Sequence, residues 1–88
     1  MVSAIGSGEF VQNKQVENLD VCGEGITLSG MTVNGDLTIL AGSKRVSVVA
    51  SIVRGRLIEM NDPKENSIKH NSIVGGRWIV KDGVLKRR

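Results

Sequence analysis

A single cysteine, a single histidine, a single proline and no tyrosine set the first limits on this chain of 88 residues. With Cys22 alone, no disulfide can form within the chain, and Cys22 and His70 together are too few ligands for a structural zinc site. One tryptophan and one phenylalanine leave the core to aliphatic side chains, chiefly Val and Ile. No apolar run reaches the roughly 18 residues of a transmembrane helix. The start of the chain, Met1 to Phe10, lacks both the basic region and the long apolar stretch of a secretory signal. The expected location is therefore the cytoplasm or a virion.

Catalytic groupings are equally scarce. His70 has no second imidazole for a dyad and no Ser-His-Asp context. It is read as a corner residue held by hydrogen bonds. Cys22 stands near the acidic Glu24 with no histidine close in sequence, which is not the setting of an activated thiol, and is read as a small buried residue. Gly23-x-Gly25 precedes no helical pattern, so it is not a dinucleotide fingerprint. Asp36 and Glu59 do not fall in one column and so do not form a paired-carboxylate site. The expectation is a non-enzyme without cofactor or metal.

What the chain does have is a repeat. Met31–Ile39, Ser51–Glu59 and Ser72–Val80 share one pattern, with Gly35, Gly55 and Gly76 in matching places. On this alignment the second step is longer than the first by one position. A period of about 20 residues is the signature of a solenoid, whose units bury their apolar edges against one another. Alternation puts Val33, Gly35, Leu37 and Ile39 on one strand face. The same register gives Val53, Gly55 and Leu57, then Val74, Gly76, Trp78 and Val80. A second set stacks Ile26, Leu28 and Gly30 over Val46, Val48 and Ala50, and these over Asn66, Ile68 and His70.

Ala41–Lys44 and Asn61–Asn66 occupy matching places between the columns, and Pro63 suits a loop because it lacks a backbone donor. Ser29-Gly30, Ala50-Ser51 and His70-Asn71 form the other corners. The fold class expected is all-β, a short right-handed parallel β-helix (β-solenoid) of about three to four coils over residues 13–88. Residues 1–12 are set aside as a flexible leader or the remnant of an added linker. The alternative is an antiparallel β-meander or small barrel, because Asn34-Gly35 is also a strong hairpin signal.

The octapeptide containing Val33-Asn34-Gly35-Asp36-Leu37-Thr38-Ile39 resembles the Val-x-Gly repeat of trimeric β-helical phage spikes. Gly23–Gly30 followed by Asn34–Ile39 is similar to the coils of bactofilins, bacterial filament-forming proteins. Both resemblances imply a β-helix that works by self-assembly.

Two surface features follow from the expected stacking. Ile52 and Ile73 would share one outward column and Ile58 and Ile79 another, a candidate interface for a homotrimer or homodimer. Asp36, Arg56 and Arg77 would share a third. Charge is also divided along the chain. Residues 1–43 carry Lys14 against Glu9, Glu17, Asp20, Glu24 and Asp36, a balance of −4. Residues 44–88 carry eleven Lys or Arg against Glu59, Asp62, Glu65 and Asp82, a balance of +7.

The leading expectation is a structural or adhesive module of the phage-spike or filament kind, acting through homo-oligomerisation. Its rival is a monomeric module binding an acidic glycan or nucleic acid through Arg54, Arg56, Arg77 and the basic tail Lys86-Arg87-Arg88.

Overall fold

Strand-forming residues in this chain come in runs of two to five, too short to stand alone, and each run lies over the equivalent run of the previous coil. The computed structural model describes residues 2–88. Coil one holds β1 (Val2–Ile5), β2 (Phe10–Gln12) and β3 (Gln15–Val16). Coil two holds β4 (Asn18–Val21), β5 (Thr27–Ser29) and β6 (Thr32–Val33). Coil three holds β7 (Leu37–Ile39), β8 (Val46–Val49) and β9 (Ile52–Val53), and coil four β10 (Leu57–Glu59), β11 (Asn66–Lys69) and β12 (Ser72–Ile73). β13 (Arg77–Lys81) begins a fifth level, and β14 (Val84–Arg87) turns back along it.

The strands make three sheets. Sheet A runs β1-β4-β7-β10-β13-β14, sheet B β2-β5-β8-β11, and sheet C β3-β6-β9-β12. The result is a β-solenoid of about four turns. Pairings within the stack are parallel, such as Leu37 with Leu57 and Val33 with Val53. The hairpin β13–β14 is antiparallel. The meander alternative is thereby excluded: Asn34 and Gly35 donate to Val16 and Glu17 of the coil before, not across a hairpin.

Alternation fills the interior with aliphatic columns. Leu19, Leu37 and Leu57 stack in one, Val21 and Ile39 in the next, and Leu28 and Val48 in a third, all essentially without exposure. Each such side chain contributes about 1.5–3 kcal/mol by leaving water. That sum offsets the entropy of ordering a short chain.

The step between coils is constant from coil two onward on sheets B and C and from coil three onward on sheet A. Thr27 lies beside Ser47, Val33 beside Val53 and Leu37 beside Leu57. The last step has the same length, since Ile73 lies beside Val53 and Arg77 beside Leu57. This corrects the longer last step expected from Gly55 to Gly76. Gly75, not Gly76, follows Gly55, and its N–H donates to the Gly55 carbonyl at 2.8 Å. A slip of one residue turns every following side chain to the opposite face. Val74 is accordingly outside, at 73% exposure, and Trp78 lies on the outer face instead of in the core. Cys22, expected inside, is exposed.

Residues set aside as a leader also lie in the stack. β1 pairs with β4, Ile5 beside Val21, and β2 pairs with β5, Phe10 beside Thr27. Both steps are shorter than the later ones. Shorter loops keep coil one out of phase with the repeat that follows.

The corner from sheet B to sheet C has one left-handed residue per coil: Asn13 (φ 57°), Gly30 (61°), Ala50 (51°) and His70 (58°). The side chains that follow it tie the later coils together. Ser51 Oγ accepts from the Met31 N–H at 3.0 Å, and Asn71 Oδ1 accepts from the Ser51 N–H at 2.8 Å. Ala50 gains nothing from its left-handed backbone, which disfavours a Cβ. Ala50→Gly is expected to raise stability by about 0.5 kcal/mol, the relief of strain exceeding the added entropy of glycine. A denaturation midpoint that falls would show that the corner carries no strain at this position.

Candidate interaction surfaces

At coil four the interior changes character. Glu59 takes the place that Ile39 holds one coil earlier, and Asn66 the place of Val46. Glu59 is fully buried, and a buried carboxylate needs partners. It has four bonds. Arg77 donates through Nε at 3.2 Å and Nη2 at 2.8 Å, Arg88 through Nη1 at 3.4 Å, and Asn66 through Nδ2 at 2.9 Å. Asn66 and Asn61 bond each other's amides at 2.9 Å, and Asn61 Nδ2 also donates to the Ser43 carbonyl at 2.8 Å. The Arg88 N–H returns to the Arg77 carbonyl at 2.9 Å, so the tail folds over this network. Polar side chains and the β13–β14 hairpin thus close the C-terminal end of the core.

The opposite end has no such closure among the described residues. β1, β2 and β3 each pair on one side only. Behind their free edges Val11 and Val16 are half-buried against the core, and Phe10 stands 63% exposed.

The four isoleucines expected to form one patch are separated. Ile52 is outward on sheet C, 45% exposed, beside Thr32 and Ser72. Ile58 is outward on sheet A, beside Thr38 and Trp78. Ile73 turns inward and packs on the core, and Ile79 pairs with Glu59 in the inward column of Ile39. The one-residue difference in the last step is the physical reason.

The arginines separate too. Arg54 is exposed on the corner after sheet C. Arg56 pairs with Asp36 at 3.3 Å, and its backbone N–H donates to Asp36 Oδ1 at 2.8 Å. Arg77 is committed to Glu59. Asp36 and Arg56 stack as expected, whereas Arg77 lies one place further along. The three guanidinium groups do not converge.

A different apolar block takes shape on the outer face of sheet A. One column runs Thr38, Ile58, Trp78, Arg87 across β7, β10, β13 and β14. Beside it runs Leu40, Met60, Val80, Leu85. Met60 and Leu85 are exposed, the other apolar members half-buried. The Arg56 guanidinium lies 5.8 Å from the Trp78 ring centroid, within cation–π range. The Trp78 indole N–H donates to the Gly75 carbonyl at 2.9 Å, which fixes the ring. Sequence reasoning reached Ile58 and missed the rest, because aligning Gly76 with Gly55 placed Trp78 and Val80 inside.

Among the described residues no three His, Cys, Asp or Glu side chains are grouped as metal ligands, and no helix is long and apolar enough to cross a membrane. Comparison with protein-family models, with curated proteins and with solved structures finds no match to this chain.

Proposed function

We propose that this β-solenoid is a non-enzymatic structural module that acts by self-association, and that its N-terminal end is the contact surface. The observation that carries the reading is the difference between the strand edges at the two ends. Exposed edges invite pairing with another chain, and proteins blunt them with charge or proline. At the C-terminal end, where β14, β11 and β12 also pair on one side only, β14 carries Lys86 and Arg87 and β11 carries Lys69, while the two-residue β12 carries no charge. At the open end Val2–Ile5, Phe10–Gln12 and Gln15–Val16 contain neither charge nor proline.

A two-fold axis normal to the solenoid axis sets β1 against the β1 of a second copy and β2 against β3. The pairing is antiparallel and isologous, so it closes as a dimer. Of the assemblies implied by the likeness to phage spikes and to filaments, a coaxial filament needs both ends free. At the C-terminal end the reversed β14 and the charges of β14 and β11 interrupt the parallel stack, so the geometry favours the pair.

The test is molar mass by light scattering during size-exclusion chromatography. The wild-type chain is expected at twice the monomer mass. Phe10→Lys with Gln15→Lys places cations on two of the free edges without touching the core, and is expected to run as a folded monomer whose melting temperature, unlike that of the wild type, does not depend on protein concentration. A wild-type chain that stays monomeric up to high concentration overturns the reading. So does a dimer that the two lysines leave intact.

A further inference from the structure

The outer face of sheet A is separate from the strand edges and is composed differently. Six of the eight residues in its two columns are apolar: Leu40, Ile58, Met60, Trp78, Val80 and Leu85. Of the charged groups on this face, Arg87 ends one column beside Trp78, Arg56 borders the block and is paired with Asp36, and Asp20 lies at the far end beyond Thr38. Residues 77–88 carry five Lys or Arg against Asp82, but Arg77 and Arg88 are bonded to Glu59 and Lys81 and Lys86 alternate to the other face of the hairpin, which leaves Arg87 and Arg56 beside the block. We propose that this face docks on an anionic lipid bilayer surface, with the apolar block at the headgroup boundary and Arg56 and Arg87 among the headgroups.

Three observations favour a bilayer over other occupants. The first is area. Four strands about 4.8 Å apart and two residues wide present roughly 300 Å², well short of the roughly 800 Å² per partner of a stable protein pair. A bilayer sets no such threshold, because apolar insertion and cationic attraction act together. The second is the arrangement. The centre of the block is largely aliphatic, with cations at its margin. A nucleic acid would reward cations that track phosphates and aromatic rings free to stack, not a block of Ile, Met, Val and Leu. The third is Trp78. Tryptophan favours the membrane–water interface. Its indole donor is already bonded to Gly75, so the ring can enter an apolar layer without an unpaired N–H.

Trp78 is the only tryptophan in the chain, so it reports the docking directly. The protein is titrated with vesicles of phosphatidylcholine alone and of phosphatidylcholine mixed equally with phosphatidylserine, and binding is read by fluorescence and co-sedimentation. On the anionic vesicles the emission is expected to shift to the blue. Affinity is expected to be about tenfold or more above that for neutral vesicles, and to fall as salt is raised.

Met60→Glu with Leu85→Glu changes two exposed positions and is expected to lose about tenfold or more in binding with the same melting temperature. The Phe10→Lys, Gln15→Lys chain is run in parallel, so that a failure of self-association and a failure of docking are read apart. Three results overturn the proposal. One is no blue shift on anionic vesicles with the fold intact. Another is a shift produced by duplex or single-stranded DNA but not by vesicles. The last is a wild-type dimer that Met60→Glu with Leu85→Glu converts to monomer, which would assign the face to a second copy.

Discussion

Arg77→Leu is expected to destabilise the protein by about 3 kcal/mol, and adding Glu59→Ile to recover most of that loss. The two residues follow aliphatic neighbours in their columns, Arg77 after Leu19, Leu37 and Leu57, and Glu59 after Ile5, Val21 and Ile39. Removing the guanidinium leaves a fully buried carboxylate held by Arg88 at 3.4 Å and by Asn66. Breaking a buried pair from one side costs about 3–5 kcal/mol, and the two surviving partners place this case at the low end. A small domain holds only about 5–10 kcal/mol in total, so the melting temperature should fall by about 10–20 °C.

The double variant behaves differently because Leu and Ile continue the columns beneath them. Asn66 then loses one acceptor but keeps the Asn61 amide, so the double variant is expected within about 1 kcal/mol of wild type. Urea denaturation of the wild type, both single variants and the double variant closes the cycle. If the double variant is as unstable as Arg77→Leu, the buried carboxylate is not the cause of the loss.

The same pair explains where the chain could be read and where it could not. Val33, Gly35 and Leu37 recur as Val53, Gly55 and Leu57 with nothing to obscure them, and the period, the parallel stacking and the sheet B columns follow. At the third recurrence Gly75 and Gly76 offer two alignments. Choosing Gly76 puts Trp78 in the core, as hydrophobicity suggests. Choosing Gly75 puts a lone arginine there, which a burial argument rejects. The second is the one that forms, because Glu59 is inward on the neighbouring strand and each charge answers the other. The signal was therefore a pair of anomalies: an acid in an aliphatic column and a base in the adjoining one, bonded to each other across the coils. Coil one was hidden for another reason. The steps from Leu19 to Leu37 and from Val16 to Val33 are both shorter than the step from Leu37 to Leu57, so a fixed period passes over them. The outward block around Trp78 inherits the misreading, since one residue of register exchanges the two faces of a strand.

Gly55→Ala is expected to cost about 2–3 kcal/mol although the glycine lies near the surface and its φ is not left-handed. Glu17, Gly35, Gly55 and Gly75 form a backbone ladder at the corner from sheet C to sheet A. Gly35 donates to the Glu17 carbonyl at 2.6 Å, Gly55 to the Gly35 carbonyl at 2.9 Å, and Gly75 to the Gly55 carbonyl at 2.8 Å. A Cβ on Gly55 would stand 2.5 Å from the Gly35 oxygen, with the Asp36 carboxylate closer still. Neither neighbour can withdraw easily. The Gly35 oxygen is held by the ladder, and Asp36 Oδ1 accepts from the Arg56 N–H, as Asn18 Oδ1 accepts from the Asp36 N–H one coil earlier. The coils must part at this corner, and parting them stretches the adjacent pairing of Leu37 with Leu57 in the core. Gly25 is the comparison. Its φ of +71° strains any side chain, but nothing lies within 4 Å of a Cβ there, so Gly25→Ala is expected to cost only about 1 kcal/mol. Equilibrium unfolding of the two variants ranks close packing of coils against backbone conformation. A Gly55→Ala protein as stable as Gly25→Ala would mean that the coils have slack at this corner, and that the glycine column is not what sets their spacing.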